Sequence, residues 1–278
     1  MRLSTTLRAA GAFSAIALLA TACGGDSGVT SEGDTGSGSG SASGVEETDA
    51  PAVTTVNDGQ LTVCSDIPYA PFEVEDESAP SGYSGFDIDL MQAIADDLGL
   101  ELVVSVTGFD AIQSGTALAA NACDVAASAM TITEEREENV DFADPYFDAD
   151  QSLLVKADSG IEGLDGVTSL GVQADTTGQV YAEENFDGEI TEFPGAAELF
   201  AALEAGTIDA ILQDLPVNVD RAQQDDTTAV VATFPTGEQY GFAVAEGNTE
   251  LRDAINASLA GLREAGTYDE IYAEYFEA

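Results

Sequence analysis

From Leu61 onward, short apolar runs alternate with segments of helical periodicity, and the whole alternation occurs twice. LTVCS reads as a strand, GFDIDLMQAIADDLG as a helix, LELVVSV as a strand, FDAIQSGTALAANA as a helix and CDVAASA as a third strand. In the first of those helices Leu90, Met91, Ile94 and Leu98 share one face, and Gly99 supplies the stop. A second unit repeats the order: SLGVQ, TTGQVYAEENF, EITEF, GAAELFAALEAG and IDAILQD. Strands joined through helices lie parallel, with helices covering both faces. The expected fold is therefore α/β with two lobes, each a mostly parallel sheet flanked by helices.

Two apolar, extended segments, QSLLVKAD (151–158) and YGFAVAEG (240–247), lead into and out of the second unit. Beyond them lie two amphipathic helical patterns, one through Leu251, Ile255, Leu259 and Leu262, the other through Tyr268, Ile271, Tyr272, Tyr275 and Phe276. If these helices return to cover the first lobe, the chain crosses between lobes twice, the arrangement of a hinge. The expected division is a first lobe of residues 57–150 and 242–278 and a second lobe of residues 151–241.

The chain begins MRLSTTLRAAGAFSAIALLATAC, with two arginines, an apolar stretch of secretory length and small residues before Cys23. Residues 1–22 are read as a signal peptide. LLATAC resembles a bacterial lipobox, with Ala20 where leucine is usual, and makes Cys23 the lipidation site. Residues 23–56, dominated by Gly, Ser, Thr, Asp and Glu, have too little apolar surface to offset ordering entropy and read as a tether. The expected product is an exported monomer on the outer face of the cytoplasmic membrane, touching the bilayer only through its lipid.

Composition removes several function classes. The chain holds 52 acidic residues against 7 Lys plus Arg and has no histidine. Nucleic acid and anionic headgroups are thus poor partners for its surface. His-based triads, His metal ligands and imidazole bases are absent. DPYFDAD lacks the Gly and distal Glu of a calcium loop, Lys156 is not preceded by a glycine loop, and no G-x-S-x-G occurs. No cofactor or metal is expected. The acidity fits either a saline exterior or a general acidic bias. Cys64 and Cys123, both on predicted strands, form a disulfide only if their register brings the Cα atoms to about 4.4–6.8 Å.

After removal of Arg2 and Arg8 with the signal peptide, five cations remain, and one of them, Arg136, follows a run of small and hydroxyl residues in SAMTITEERE. From the residues alone, T-I-T-E is a capping-box pattern that opens a helix at Thr131, and helix N-termini attract anions. Arg136 then either faces an anionic ligand or pairs with neighbouring acids. GVQADTTGQ places Thr176 and Gln179 in the same spacing, and Asp214 ends the strand of ILQD, where ligands collect in open α/β sheets. Alternation points Gln213 away from Asp214. Phe86 reads as core.

GFDIDLMQAIADDL, together with CSDIPYAPFE, SAMTITEERE, GVQADTTG, ILQD and EAGTYDEIYAEYF, closely resembles the extracellular solute-binding proteins, family 3, over residues 59–277. The resemblance implies a type II periplasmic-binding fold that receives a free amino acid and hands it to an ABC permease. It implies that Arg136 forks onto the ligand α-carboxylate with the Thr131 hydroxyl, a planar contact that lysine cannot reproduce. Amides at Thr176 and Thr177 complete that half, although Asp175 stands where glycine is common. Asp214 is implied as the acceptor for the α-ammonium, Tyr69 and Phe109 as walls around the aliphatic part, and Asp66 as a side-chain acceptor. Ser128 and the main chain at Ala129 are expected to add polar contacts. None of the other cations matches a pocket position, so glutamine or a cationic amino acid is favoured over glutamate or aspartate. The same fold carries dehydratases of the cyclohexadienyl type and sensory ligand-binding modules, which are the alternatives.

Overall fold

The computed structural model describes residues 53–277. The expected signal peptide, Cys23 and the tether up to residue 52 lie outside the described residues. Through the first unit the elements are β1 (Gln60–Ser65), β2 (Val74–Glu75), β3 (Tyr83–Ser84), α1 (Phe86–Asp97), β4 (Glu101–Val106), α2 (Phe109–Gln113), α3 (Thr116–Ala119), β5 (Val125–Ala126), α4 (Glu134–Glu137) and β6 (Val140–Phe142). The chain then runs through β7 (Phe147–Lys156), β8 (Ser169–Gln173), α5 (Thr177–Asn185), β9 (Glu189–Phe193), α6 (Ala196–Ala205), β10 (Ala210–Asp214), α7 (Leu215–Gln224) and β11 (Thr228–Tyr240). It ends with β12 (Ala243–Ala245), α8 (Thr249–Ala265) and α9 (Thr267–Phe276).

Two five-stranded sheets result, ordered β4-β1-β5-β12-β6 and β11-β7-β10-β8-β9. β1 pairs in parallel with β4 and β5, and β8 in parallel with β9 and β10, as strand–helix–strand units require. β7 and β11 are antiparallel members of the second sheet, and β12 is antiparallel in the first. The chain therefore passes from the first sheet to the second after β6 and back after β11. α8 and α9 return to the first unit, where Leu251, Ile255 and Leu259 join the core of α1 and β1.

α1 forms where periodicity placed it: Phe86, Leu90, Met91 and Ile94 are all fully buried. Burying each such side chain contributes roughly 1.5–3 kcal/mol. Gly85 precedes it at φ 118°, and a Cβ there would run into the Phe72 carbonyl, so only glycine fits. Two expectations need correction. The single helix expected over FDAIQSGTALAANA is broken into α2 and α3 at Gly115, whose φ of 71° lies outside the helical region and whose Cβ would meet Asn139 O at 2.8 Å. CDVAASA contributes only Val125 and Ala126 to the sheet, so Cys123 lies just before the strand. Lys156 ends β7 and donates to Glu204 O. The thirteen-residue β11, TAVVATFPTGEQY, has no counterpart among the expected strands.

Cys64 and Cys123 are disulfide-bonded, with Cα atoms 5.7 Å apart and a sequence separation of 59. The bond ties β1 to the chain entering β5. Both strands lead directly to the residues considered next.

Candidate functional site

The residues at the carboxyl ends of β1, β5, β8 and β10 meet at one small cavity between the two sheets. From the first unit Asp66, Tyr69, Phe109, Ser128, Ala129 and Thr131 line it, with Arg136. From the second come Gln173, Thr176, Thr177 and Asp214. Every residue assigned to the ligand from the sequence is thus at this cavity, and Gln173 is an addition.

Arg136 is 5% exposed and is the sole cation on the lining. Nη1 donates to Thr131 O at 2.7 Å, Nη2 donates to Asp175 O at 3.1 Å, and the guanidinium carbon sits 5.2 Å from the Phe109 ring centre. The described residues form ion pairs only at Arg221–Asp225 and Arg252–Asp253. Arg136 therefore has neutral carbonyls, not a carboxylate, for partners. Burial pulls its pKa down, opposed by the fields of Asp214, Glu238, Glu135 and Asp175. A buried guanidinium held by carbonyls and lacking a counter-ion is poised for an anion.

The cap beside it differs from the sequence reading. The N-cap of α4 is Thr133, whose Oγ1 accepts from Arg136 N at 3.2 Å, and the helix is only four residues long. Thr131 is freed by this shift: its hydroxyl donates to Glu238 Oε2 at 3.0 Å and lies 3.4 Å from the Thr177 hydroxyl. Opposite, Thr176 caps α5, accepting from Gln179 N at 3.1 Å, while Gln179 Oε1 accepts from Asp175 N at 2.8 Å. The reciprocal bond of this cap thus goes to the residue before Thr176. Asp175 takes φ 64°, the left-handed geometry for which glycine is common.

Asp214 is 8% exposed and accepts from Tyr69 Oη at 3.0 Å, Tyr240 Oη at 2.5 Å and Gln151 Nε2 at 2.6 Å. Burial first, and then repulsion from Glu238, pushes its pKa to about 6 despite those three donors. Asp66 is likewise pushed to about 6 by burial, opposed by Gln173 Nε2, which donates to Asp66 Oδ2 at 2.8 Å. Both carboxylates lack a cation partner. Tyr69 bonds Asp214, Gln173 bonds Asp66, Arg136 bonds Asp175 and Thr131 bonds Glu238, so the two units are bridged at both ends of the cavity.

Gln173 was legible in principle, because it ends β8 as Asp214 ends its neighbour β10. Gln151 and Glu238 carried no such signal; β7 and β11 bring them in by antiparallel pairing. Phe86 is fully buried among aromatic rings, and Gln213 donates to Asn218 Oδ1 away from the cavity, both as read from the sequence.

Residues 61–178 and 165–278 match the bacterial extracellular solute-binding proteins, family 3. The ABC transporter glutamine-binding protein GlnH of Bacillus subtilis (strain 168) is 37% identical over 204 residues, 69% of this chain and 72% of that protein. An ancestral arginine-binding protein solved with arginine superposes with a TM-score of 0.71 at 36% identity, covering 78% of this chain and 98% of its own. An ancestral amino-acid-binding protein described as a precursor of cyclohexadienyl dehydratase gives 0.73 at 36%, covering 78% and 96%. Two mixed sheets flanked by helices with a shared cavity, and a profile match spanning the folded region, lead to one conclusion: the chain belongs to the bacterial extracellular solute-binding proteins, family 3.

Proposed function

We propose that the protein is the receptor of an ABC importer, closing its two lobes on a free polar or cationic amino acid and delivering it to a membrane permease. The observation that carries this reading is the buried Arg136 guanidinium, without a carboxylate partner, facing two carboxylates without cations, the buried Asp214 and the half-buried Asp66. A zwitterion supplies both missing charges at once.

In this reading the α-carboxylate takes Arg136, Thr131 and the α5 turn at Thr176 and Thr177, and the α-ammonium takes Asp214. The aliphatic part runs between Tyr69 and Phe109. Asp66, paired with Gln173, accepts an amide, ammonium or guanidinium at the far end. With one cation and two carboxylates on the lining, a second ligand carboxylate has no partner. Glutamine and arginine, carried by the relatives above, fit this balance. The first lobe comprises 57–150 and 242–278 and the second 151–241, so the contacts across them exist only when the lobes are closed, and ligand shifts the population that way. Residues 1–22 act as signal peptide, Cys23 carries a lipid and 24–56 tether the monomeric receptor to the cell surface.

Titration calorimetry of the ligand-stripped protein against the twenty amino acids tests the receptor reading. Tight, saturable binding of arginine or glutamine, with glutamate and aspartate weak, is expected. Folded protein that binds none of them, or that consumes prephenate, removes it. Intact mass of protein from a lipoprotein-processing host tests Cys23.

A further inference from the structure

The signature GFDIDL contains a carboxylate that the ligand account does not use. Asp87, in the first turn of α1, is fully buried, yet no amide of its own helix donates to it. It accepts instead from Ala129 N at 2.7 Å, and from Tyr146 Oη, which lies 2.7 Å from both carboxylate oxygens. An ordinary first-turn acid interacts with its own helix end and stays in solvent. This one is turned away from its helix toward the cavity floor.

Its target is unusual as well. Ala129 has φ 43°, a left-handed conformation that costs a non-glycine residue roughly 1–2 kcal/mol. It is 4% exposed, lines the cavity, and among the described residues nothing donates to its carbonyl oxygen. The flanking residues are anchored independently: Ser128 Oγ donates to Glu73 at 2.7 Å, and Met130 O accepts from Gly241 N at 3.1 Å. Asp87 alone holds the amide of residue 129.

We propose that Asp87 is a positioning residue for the ammonium end of the ligand: by accepting the Ala129 N–H it fixes residue 129 in the strained conformation that leaves its carbonyl available at the cavity wall. Tyr146, stacked on Phe242 with ring centres 4.0 Å apart, holds Asp87 in turn. This inference rests on the amino-acid reading of the cavity and deepens it, because it gives the Asp87 carboxylate the task of holding the main chain that the ammonium end meets.

Calorimetry of wild type, Asp87→Ala, Asp87→Asn and Tyr146→Phe with L-arginine, L-glutamine and their desamino analogues, which lack only the α-ammonium, tests it. Asp87→Ala is expected to weaken amino-acid binding roughly 10–100-fold, the worth of a hydrogen bond to a charged group. The desamino analogues should change by less than about 3-fold, since the carboxylate half is untouched. Asp87→Asn, which keeps an acceptor for Ala129 N–H, should restore most of the difference. If Asp87→Ala does not fold, Tyr146→Phe carries the comparison, with a smaller loss confined to the amino acids. Equal losses for amino acid and analogue overturn the positioning role while leaving the receptor reading intact. Wild type that binds no amino acid overturns both.

Discussion

The wall built by the first sheet presents a side-chain cation on a one-turn helix, whereas the wall built by the second presents the N-terminus of a nine-residue helix and no cation. The first wall is stapled by Cys64–Cys123 and backed by the aromatic core under α1 and α9; no disulfide joins elements of the second among the described residues. A guanidinium that forks onto a carboxylate, the role proposed for Arg136, must be placed accurately, and Arg136 sits on the stapled side. Backbone amides and a strand-end carboxylate keep their geometry through the hydrogen bonding of the elements that carry them. The difference implies that the first wall sets the ligand's position and the second completes the site on closing.

Removing the cation breaks the comparison most severely. Arg136→Ala should cost about 2–5 kcal/mol in calorimetric affinity for arginine or glutamine, because a ligand carboxylate is then buried unpaired. Arg136→Lys should recover only part of this, since an ammonium cannot fork. Wild-type affinity in either variant would mean that the carboxylate lies elsewhere.

Opening the disulfide comes next. Cys64→Ser with Cys123→Ser should lower unfolding free energy by roughly 2–4 kcal/mol in denaturant titrations. Hydrogen exchange should rise in β1 and β5 before it rises in β8 and β10. Uniform loosening of both sheets would contradict the unequal walls. Asp214→Asn should then cost about 1.5–3 kcal/mol of affinity for amino acids and much less for desamino analogues.

The two caps sharpen the contrast at a smaller scale. Thr176→Ala removes the cap of a real helix and should cost about 1 kcal/mol of stability. Thr133→Ala removes a bond to Arg136 N itself, so its effect should fall mainly on affinity. Thermal melts and calorimetry on the two variants separate these outcomes.

Acidity provides the mildest test. Asp66 and Asp214 have pKa values raised to about 6, and Asp87 to about 7, each chiefly by burial. A carboxyl whose folded pKa exceeds its unfolded one adds stability when protonated and loses it as pH rises through the folded value. The ligand-free protein should therefore melt higher as pH falls from about 7 toward 4. Ligand cations require ionised Asp66 and Asp214, so the melting increment from L-arginine should shrink as pH drops through about 6. Relief of surface self-repulsion also raises melting in acid, which makes the ligand-dependent increment the diagnostic quantity. An increment that grows in acid would exclude carboxylate acceptors.

Much of this architecture was legible because local periodicity and strand-end position survive without knowledge of the fold. Leu90, Met91 and Ile94 announced α1, and ILQD placed Asp214 at a strand end before any neighbour was known. Gly115 hid the break between α2 and α3, since a glycine inside an apolar helical pattern is also tolerated without breaking it. Thr131 and Thr133 both satisfy a cap pattern, and only the path from the preceding strand chose between them. Gln151, Tyr240 and Glu238 were invisible because their roles depend on the pairing of β7 with β11, more than 80 residues apart in sequence.

The sequence by itself determined the two repeated strand–helix units, the paucity of cations that isolates Arg136, and the absence of imidazole chemistry, because these follow from residue identity and short-range spacing. Tertiary structure alone decided that Cys64 and Cys123 meet, that Arg136 lies beneath carbonyls instead of beside an acid, and that Asp87 turns from its own helix to hold Ala129. Those outcomes depend on which distant chain segment arrives at a given point, and burial there sets whether a charge is paired, protonated or left for a ligand.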